Sequence, residues 1–312
     1  MKWAIMKPEL GEIAALLTAM CYSISSIFFT RAGQKFGSLT SNRLRLVIAI
    51  VLLGIIHWIV FGSPVPLNAG VDRWMWLGIS GIVGLAIGDL FLFQAYLTIG
   101  PRLGLLFLSL SPALATILAW LFLGERLSWG SLLGILLTLA GITWVVLESN
   151  ANHRSPAGDT RPQSHQGNLK GIIAGLIAAT GQALGVVLAK PGLQNNFSPL
   201  SGNVIRMSAA FLALWLVTIF QGQVKSTFQQ ANQQKPGLLY ILGGAIFGPL
   251  ISVSLSLFAI QNTDVGIAST LIATPPIFLL PVGYFIFKER ISWRAVAGTL
   301  IAVAGVGLPF WL

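Results

Sequence analysis

Charged residues are scarce in this chain: only 9% of its 312 residues are Asp, Glu, Lys or Arg, where a soluble domain carries about 25%. A surface with so little charge must face something other than water. With 55% hydrophobic residues and a mean hydropathy of +0.80, lipid is the obvious medium. Cysteine is nearly absent, and the lone Cys21 excludes an intramolecular disulfide and any zinc or iron–sulfur site built from thiolates. Histidine is confined to His57, His153 and His165, too scattered for a metal site. No metal and no cofactor is expected. The N-terminus has Lys2 and Lys7 before an apolar run, but no Ala-x-Ala-like cleavage site follows before Phe28-Phe29, so the run reads as a retained first span. The net charge of +10 comes from basic residues placed singly or in pairs between apolar runs, without a basic helix face or interleaved aromatics. That pattern fits loop charges beside lipid headgroups and not a nucleic-acid partner.

What is present is a repeat. Pro112, the stretch Leu123-Gly124-Glu125-Arg126-Leu127-Ser128-Trp129, Gly134, Leu136 and Ala140-Gly141 return 164 residues later. The second copy is Pro276, Phe287-Lys288-Glu289-Arg290-Ile291-Ser292-Trp293, Gly298, Leu300 and Ala304-Gly305. A constant offset over so many positions marks an internal duplication.

Apolar runs of about 20 residues cross a bilayer as helices. Ten are present, near 9–31, 40–61, 73–97, 102–123, 129–147, 169–190, 199–221, 237–260, 265–287 and 292–311. Gly62-Ser63-Pro64, Gly100-Pro101, Lys190-Pro191-Gly192 and Lys235-Pro236-Gly237 supply turn chemistry between them, and Ser128 and Ser292 stand at helix N-cap positions. Residues 148–168 have no apolar period and are rich in Ser, Pro, Asn and Gly. They read as a polar linker between a first repeat, 1–147, and a second, 169–312. After an odd number of crossings the second half starts from the opposite face. The expected fold is therefore an all-α integral membrane protein of ten transmembrane helices in two inverted five-helix repeats, a monomer or homodimer in the plasma or inner membrane. Gly84/Gly88, Gly171/Gly175, Gly181/Gly185 and Gly244/Gly248 are spaced for close helix packing.

The Gly-Glu-Arg-Leu and Ser-Trp stretch before a Gly-rich last helix resembles the EamA domain of the drug/metabolite transporter superfamily. So does the Asn-x-x-Arg near the start of spans two and seven, Asn42/Arg45 and Asn203/Arg206. The resemblance implies a secondary transporter for a small metabolite or amino acid, working by export or exchange with alternating access. A nucleotide-sugar or lipid-linked sugar carrier of similar fold is the alternative. The family is also expected to keep both termini in the cytoplasm. With Arg45 and Arg206 set aside as intramembrane, Lys and Arg number five on the terminal side and twelve on the other, so the positive-inside rule points the opposite way.

Asp89 is the one acid these spans place deep in the membrane. An ionisable group there marks a functional site or a buried pair. It reads either as a proton-linked or cation-binding carboxylate, or as a structural partner of Arg45 or Arg206. Phe93 and Tyr96 share its helix face. Arg45 and Arg206 suit a substrate carboxylate or phosphate, and equally suit headgroups or Asp89. Tyr22 and Gln182 correspond in spans one and six, with Ser25 and Ser26 a turn from Tyr22. Spans four and nine carry Ser111-Pro112 and Thr274-Pro275-Pro276, where proline frees carbonyls, the mark of kinked, cavity-lining helices. The substrate-binding or coupling candidates are thus Asp89, Tyr96, Tyr22, Ser26, Gln182, Ser111, Thr274, Arg45 and Arg206. Glu125, Arg126, Glu289 and Arg290 read as turn-forming groups at helix ends. Tryptophans near span ends, and His57 beside Trp58, read as interfacial. Gly78-Ile79-Ser80-Gly81 looks like an intramembrane serine-protease tetrapeptide, but His153 and His165 lie in the linker and no downstream membrane His can activate Ser80. No phosphate-binding Gly-Lys loop is present for ATP-driven work.

Overall fold

A computed structural model describes residues 8–123, 129–151, 165–189, 191–194, 197–262, 271–279 and 292–311. Among them the regular structure is helical throughout, with no strand. Five stretches are long and apolar enough to cross a membrane: Leu10–Phe61, Val71–Pro101, Leu169–Ala189, Pro199–Phe220 and Lys235–Ser256. Leu103–Ala115, Leu136–Val145 and Val296–Gly305 are shorter apolar helices.

The first helix, α1 (Pro8–Phe61), is broken at Gly37, whose φ of 76° and ψ of 168° no helix accommodates. Nothing lies within 4 Å of where a Cβ would stand, so the backbone conformation alone calls for glycine. Arms 8–36 and 38–61 each exceed the ~20 residues needed to cross a bilayer. Helix α2 (Val71–Gly81) runs through a π-helical turn, Ile82–Gly88, into α3 (Asp89–Leu108), which is itself broken at Gly100 (φ 81°) before Pro101. Next come α4 (Ser111–Leu123), α5 (Trp129–Ala151), α6 (His165–Ala189) and α7 (Pro199–Phe220). The last group is α8 (Val224–Gln233), α9 (Lys235–Ala245), a second π turn Ile246–Ser252, α10 (Val253–Asn262) and α11 (Trp293–Trp311).

Irregular backbone repeats as faithfully as the sequence does. The two π turns stand 164 residues apart, and in each the next residue's N–H donates to the turn glycine, Asp89 to Gly84 and Val253 to Gly248. The helix of span four is interrupted at 109–110 and the segment 271–279 at 273–274, again the same offset. The two interruptions touch: Ser109 Oγ donates to Leu105 O at 3.1 Å and to Ala273 O at 3.2 Å.

Helices in lipid gain nothing from burying apolar faces against each other, so small residues that let backbones approach decide the packing. A Cβ at Gly141 would strike Ala302 and Gly298, and one at Gly305 would strike Thr138 and Gly134. The α5–α11 crossing therefore uses the same residues twice, with the roles of the two halves exchanged. Gly84 packs on Gly185 and Gly88 on Gly181, which joins the first π turn to α6. The outward faces stay apolar and exposed, as at Ile59, Leu133, Leu212 and Phe220.

One element departs from the sequence reading. Residues 224–233, expected as loop, form the polar helix α8. Buried Arg43 holds it by donating to Thr227 Oγ1 at 3.2 Å, Gln223 Oε1 at 2.8 Å and Gln221 Oε1 at 3.3 Å. The Trp215 indole N–H donates to the carbonyl of Arg43 at 3.3 Å.

Candidate functional site

A π turn inserts one residue into the helical hydrogen-bond ladder and leaves carbonyls for other donors. In the first half, Asn42 Nδ2 donates to Ala86 O at 3.0 Å and Arg45 Nη2 to Leu85 O at 2.9 Å. In the second half, Asn203 Nδ2 donates to Pro249 O at 3.1 Å. The Asn-x-x-Arg pair thus has a physical task on each side: its asparagine satisfies the backbone opened by the neighbouring π turn.

Asp89 begins the helix that follows the first π turn. Its Oδ2 lies 2.6 Å from Arg45 Nη1, both side chains being almost wholly buried, and its Oδ1 accepts from Gln182 Nε2 at 2.7 Å. Gln182 Nε2 also lies 3.2 Å from Gly84 O. Arg45 Nε donates to Asn42 Oδ1 at 3.1 Å, and its guanidinium lies 5.4 Å from the Phe93 ring centroid and 5.9 Å from that of Phe29. This arginine is engaged on every side and does not reach towards headgroups. Tyr96 is buried and stacks near Phe93, with centroids 6.1 Å apart.

Arg206 comes to the same place from α7. A Cβ at Gly81 would collide with its backbone, and its Nη2 lies 3.4 Å from the Cβ position of Gly84, where Gln182 Oε1 is 3.8 Å away. Tyr22, half-buried on the first arm of α1, stands close enough to Asp89, Arg206 and Arg45 to feel their charges. The structure therefore brings together six of the candidates: Asp89, Arg45, Gln182, Arg206, Tyr22 and Tyr96. The carboxylate belongs to the first half and the amide that holds it to the second.

The other three are not hydrogen-bonded to this cluster among the described residues. Ser26 is buried and donates to Ser23 O at 2.7 Å, and Thr274 donates to Leu271 O at 2.6 Å. Ser111 opens α4. No hydrogen bond joins any of them to Asp89 among the described residues. Glu125, Arg126, Glu289 and Arg290 lie outside the described residues. His57 is turned into the protein and not toward lipid: it is 2% exposed, its Nε2 lies 3.0 Å from Ser201 Oγ, and its Nδ1 contacts the Ser63 carbonyl. Trp58 beside it is 62% exposed and takes the outer face alone. Sequence reasoning also left Arg43 and the π-turn role of the two asparagines unassigned. A polar residue at the start of an apolar span was the available signal for all three.

The family model described as EamA-like transporter family matches residues 9–147 and 169–311. An uncharacterized transporter of Bacillus subtilis (strain 168), YetK, is 24% identical over 304 residues, covering 97% of this chain and 87% of its own. An uncharacterized transporter of Archaeoglobus fulgidus is 22% identical over 297 residues, with 94% and 95% covered. A solved crystal structure superimposes with a TM-score of 0.60 over 96% of this chain and 95% of that one, at 17% identity, a likeness of fold.

Proposed function

This chain belongs to the EamA-like transporter family, an integral membrane family, and from that premise we propose that it is a secondary transporter of a small metabolite or amino acid. The proposed architecture is ten spans in two inverted five-helix repeats, 1–147 and 169–312, joined by the linker 148–168. The paired π turns, the paired helix interruptions and the role-exchanging α5–α11 crossing support it. Transporters of this design bind at the repeat interface and expose the site to either side by moving one half against the other.

The observation that carries the reading is the meeting of both halves at Asp89. A buried ion pair in lipid is weak evidence for stability alone, because hydrophobic groups of the same volume stabilise as well or better. Its costly placement, hydrogen-bonded by an amide from the opposite half, makes it the natural point where solute or ion binding is felt by both repeats. Asp89 is the coupling carboxylate, with Arg45 its resting partner.

The test is uptake of labelled amino acids and small metabolites into proteoliposomes. Asp89→Asn leaves Arg45 buried and unpaired, so the informative comparison is the double variant Arg45→Gln/Asp89→Asn, which removes both charges together. The double variant is expected to stay monodisperse in detergent and to lose flux. Wild-type flux from it would reduce the pair to a structural contact.

A further inference from the structure

We propose that Arg206 is the receptor for a carboxylate carried by the transported solute, a cation left free because the second repeat lacks the acid that neutralises its counterpart in the first. The proposal rests on the transporter reading and names its substrate class.

Arg45 and Arg206 occupy matching places, each three residues after an asparagine that serves a π turn. Arg45 is met by Asp89. The residue 164 positions beyond Asp89, following the second π turn, is Val253. Accordingly Arg206 Nε is buried with no hydrogen-bond partner, and among the described residues no hydrogen bond or ion pair reaches its guanidinium. Yet Arg206 is only 8% exposed. A buried cation with no counter-charge in contact with it is costly, and its fork of N–H donors matches the two oxygens of a carboxylate. Around it, the Gly84 Cβ position lies 3.4 Å from Arg206 Nη2 and 3.8 Å from Gln182 Oε1, and the half-buried Tyr22 is near enough to feel the Arg206 charge.

Charge arithmetic selects within the anions. Arg45 and Asp89 cancel, so the cluster holds one net positive charge. A monocarboxylate brings it to zero. A phosphate monoester dianion leaves a surplus negative charge in the same low-dielectric space, and no lysine is within the cluster to absorb it.

The experiment uses the full chain in lipid nanodiscs. The unfolding midpoint is recorded against rising concentrations of short monocarboxylic and 2-hydroxy acids, their primary amides, and glycerol phosphate. Binding to the folded state raises the midpoint. Acids should raise it and amides should not. Arg206→Gln should weaken the response about 10- to 100-fold, and Arg206→Lys, which keeps the charge, should retain part of it and control for folding. Equal stabilisation by acid and amide, by glycerol phosphate alone, or by no carboxylate in the panel overturns the proposal. Proteoliposome flux separates the two readings. Neutral or cationic solutes carried equally well by wild type and Arg206→Gln would remove the carboxylate site and leave the transporter. Absence of flux for every solute would count against transport itself.

Discussion

Asn42 and Asn203 do the same work in the two halves with one difference. Both donate to a π-turn carbonyl, but only Asn42 also accepts at Oδ1 from Arg45 Nε, while Asn203 Oδ1 has no partner among the described residues. Asn203→Ala should therefore destabilise by about 1–3 kcal/mol, the cost of one unmade buried hydrogen bond. Asn42→Ala should cost distinctly more, because a hydrogen bond to a charged group goes with it. Thermal unfolding of the two variants in the same detergent checks the order, and equal losses would contradict the distinct roles. Arg43 allows a second prediction at this scale. It is the common donor to Gln221, Gln223 and Thr227, so Arg43→Gln should speed amide hydrogen exchange across 221–227. Exchange around Asp89 should be unchanged.

Among the elements, glycine serves two purposes that substitution can separate. Gly37→Ala meets no atom within 4 Å and should cost only the backbone penalty of a side chain at positive φ with extended ψ, about 1–3 kcal/mol. Gly141→Ala would drive a methyl into Ala302 and Gly298 and force α5 from α11, so it should lower the unfolding midpoint much further. Comparing the two midpoints tests whether that crossing is packed as tightly as the geometry requires. The breaks at Gly100 and in spans four and nine were legible beforehand, since Gly100-Pro101 and the prolines carry their own chemistry, whereas Gly37 was not singled out. The π turns were not. Residues 82–88 read as plain apolar helix and carry no proline, whereas Pro249 within 246–252 was a signal left unused. Asp89 with Arg45 was legible because a lone acid in lipid needs a partner. Gln182 as its second partner was not, because a contact between halves depends on how Gly84, Gly88, Gly181 and Gly185 let two helices close. His57 misled because its neighbour Trp58 has the interfacial signature, while the helix turns His57 inward to Ser201.

At the scale of the molecule, the two halves meet where Ser109 donates to Ala273, its own repeat mate. In a Cys21→Ser background, Ser109→Cys/Ala273→Cys should oxidise to a disulfide that arrests flux, and reduction should restore it. Undiminished flux from the cross-linked protein would mean that spans four and nine do not separate during the cycle. A carrier whose repeats were identical would have inward- and outward-facing forms related by a two-fold rotation about an axis in the membrane plane, with equal free energies and no resting preference. The exchange of Asp89 for Val253 across the repeat removes that degeneracy. One half carries a neutralised arginine and the other a bare one, so the two forms place unequal charge before the two leaflets. In the proposed alternating-access cycle the empty carrier would then rest facing one side, and the membrane potential would act unequally on its two forms.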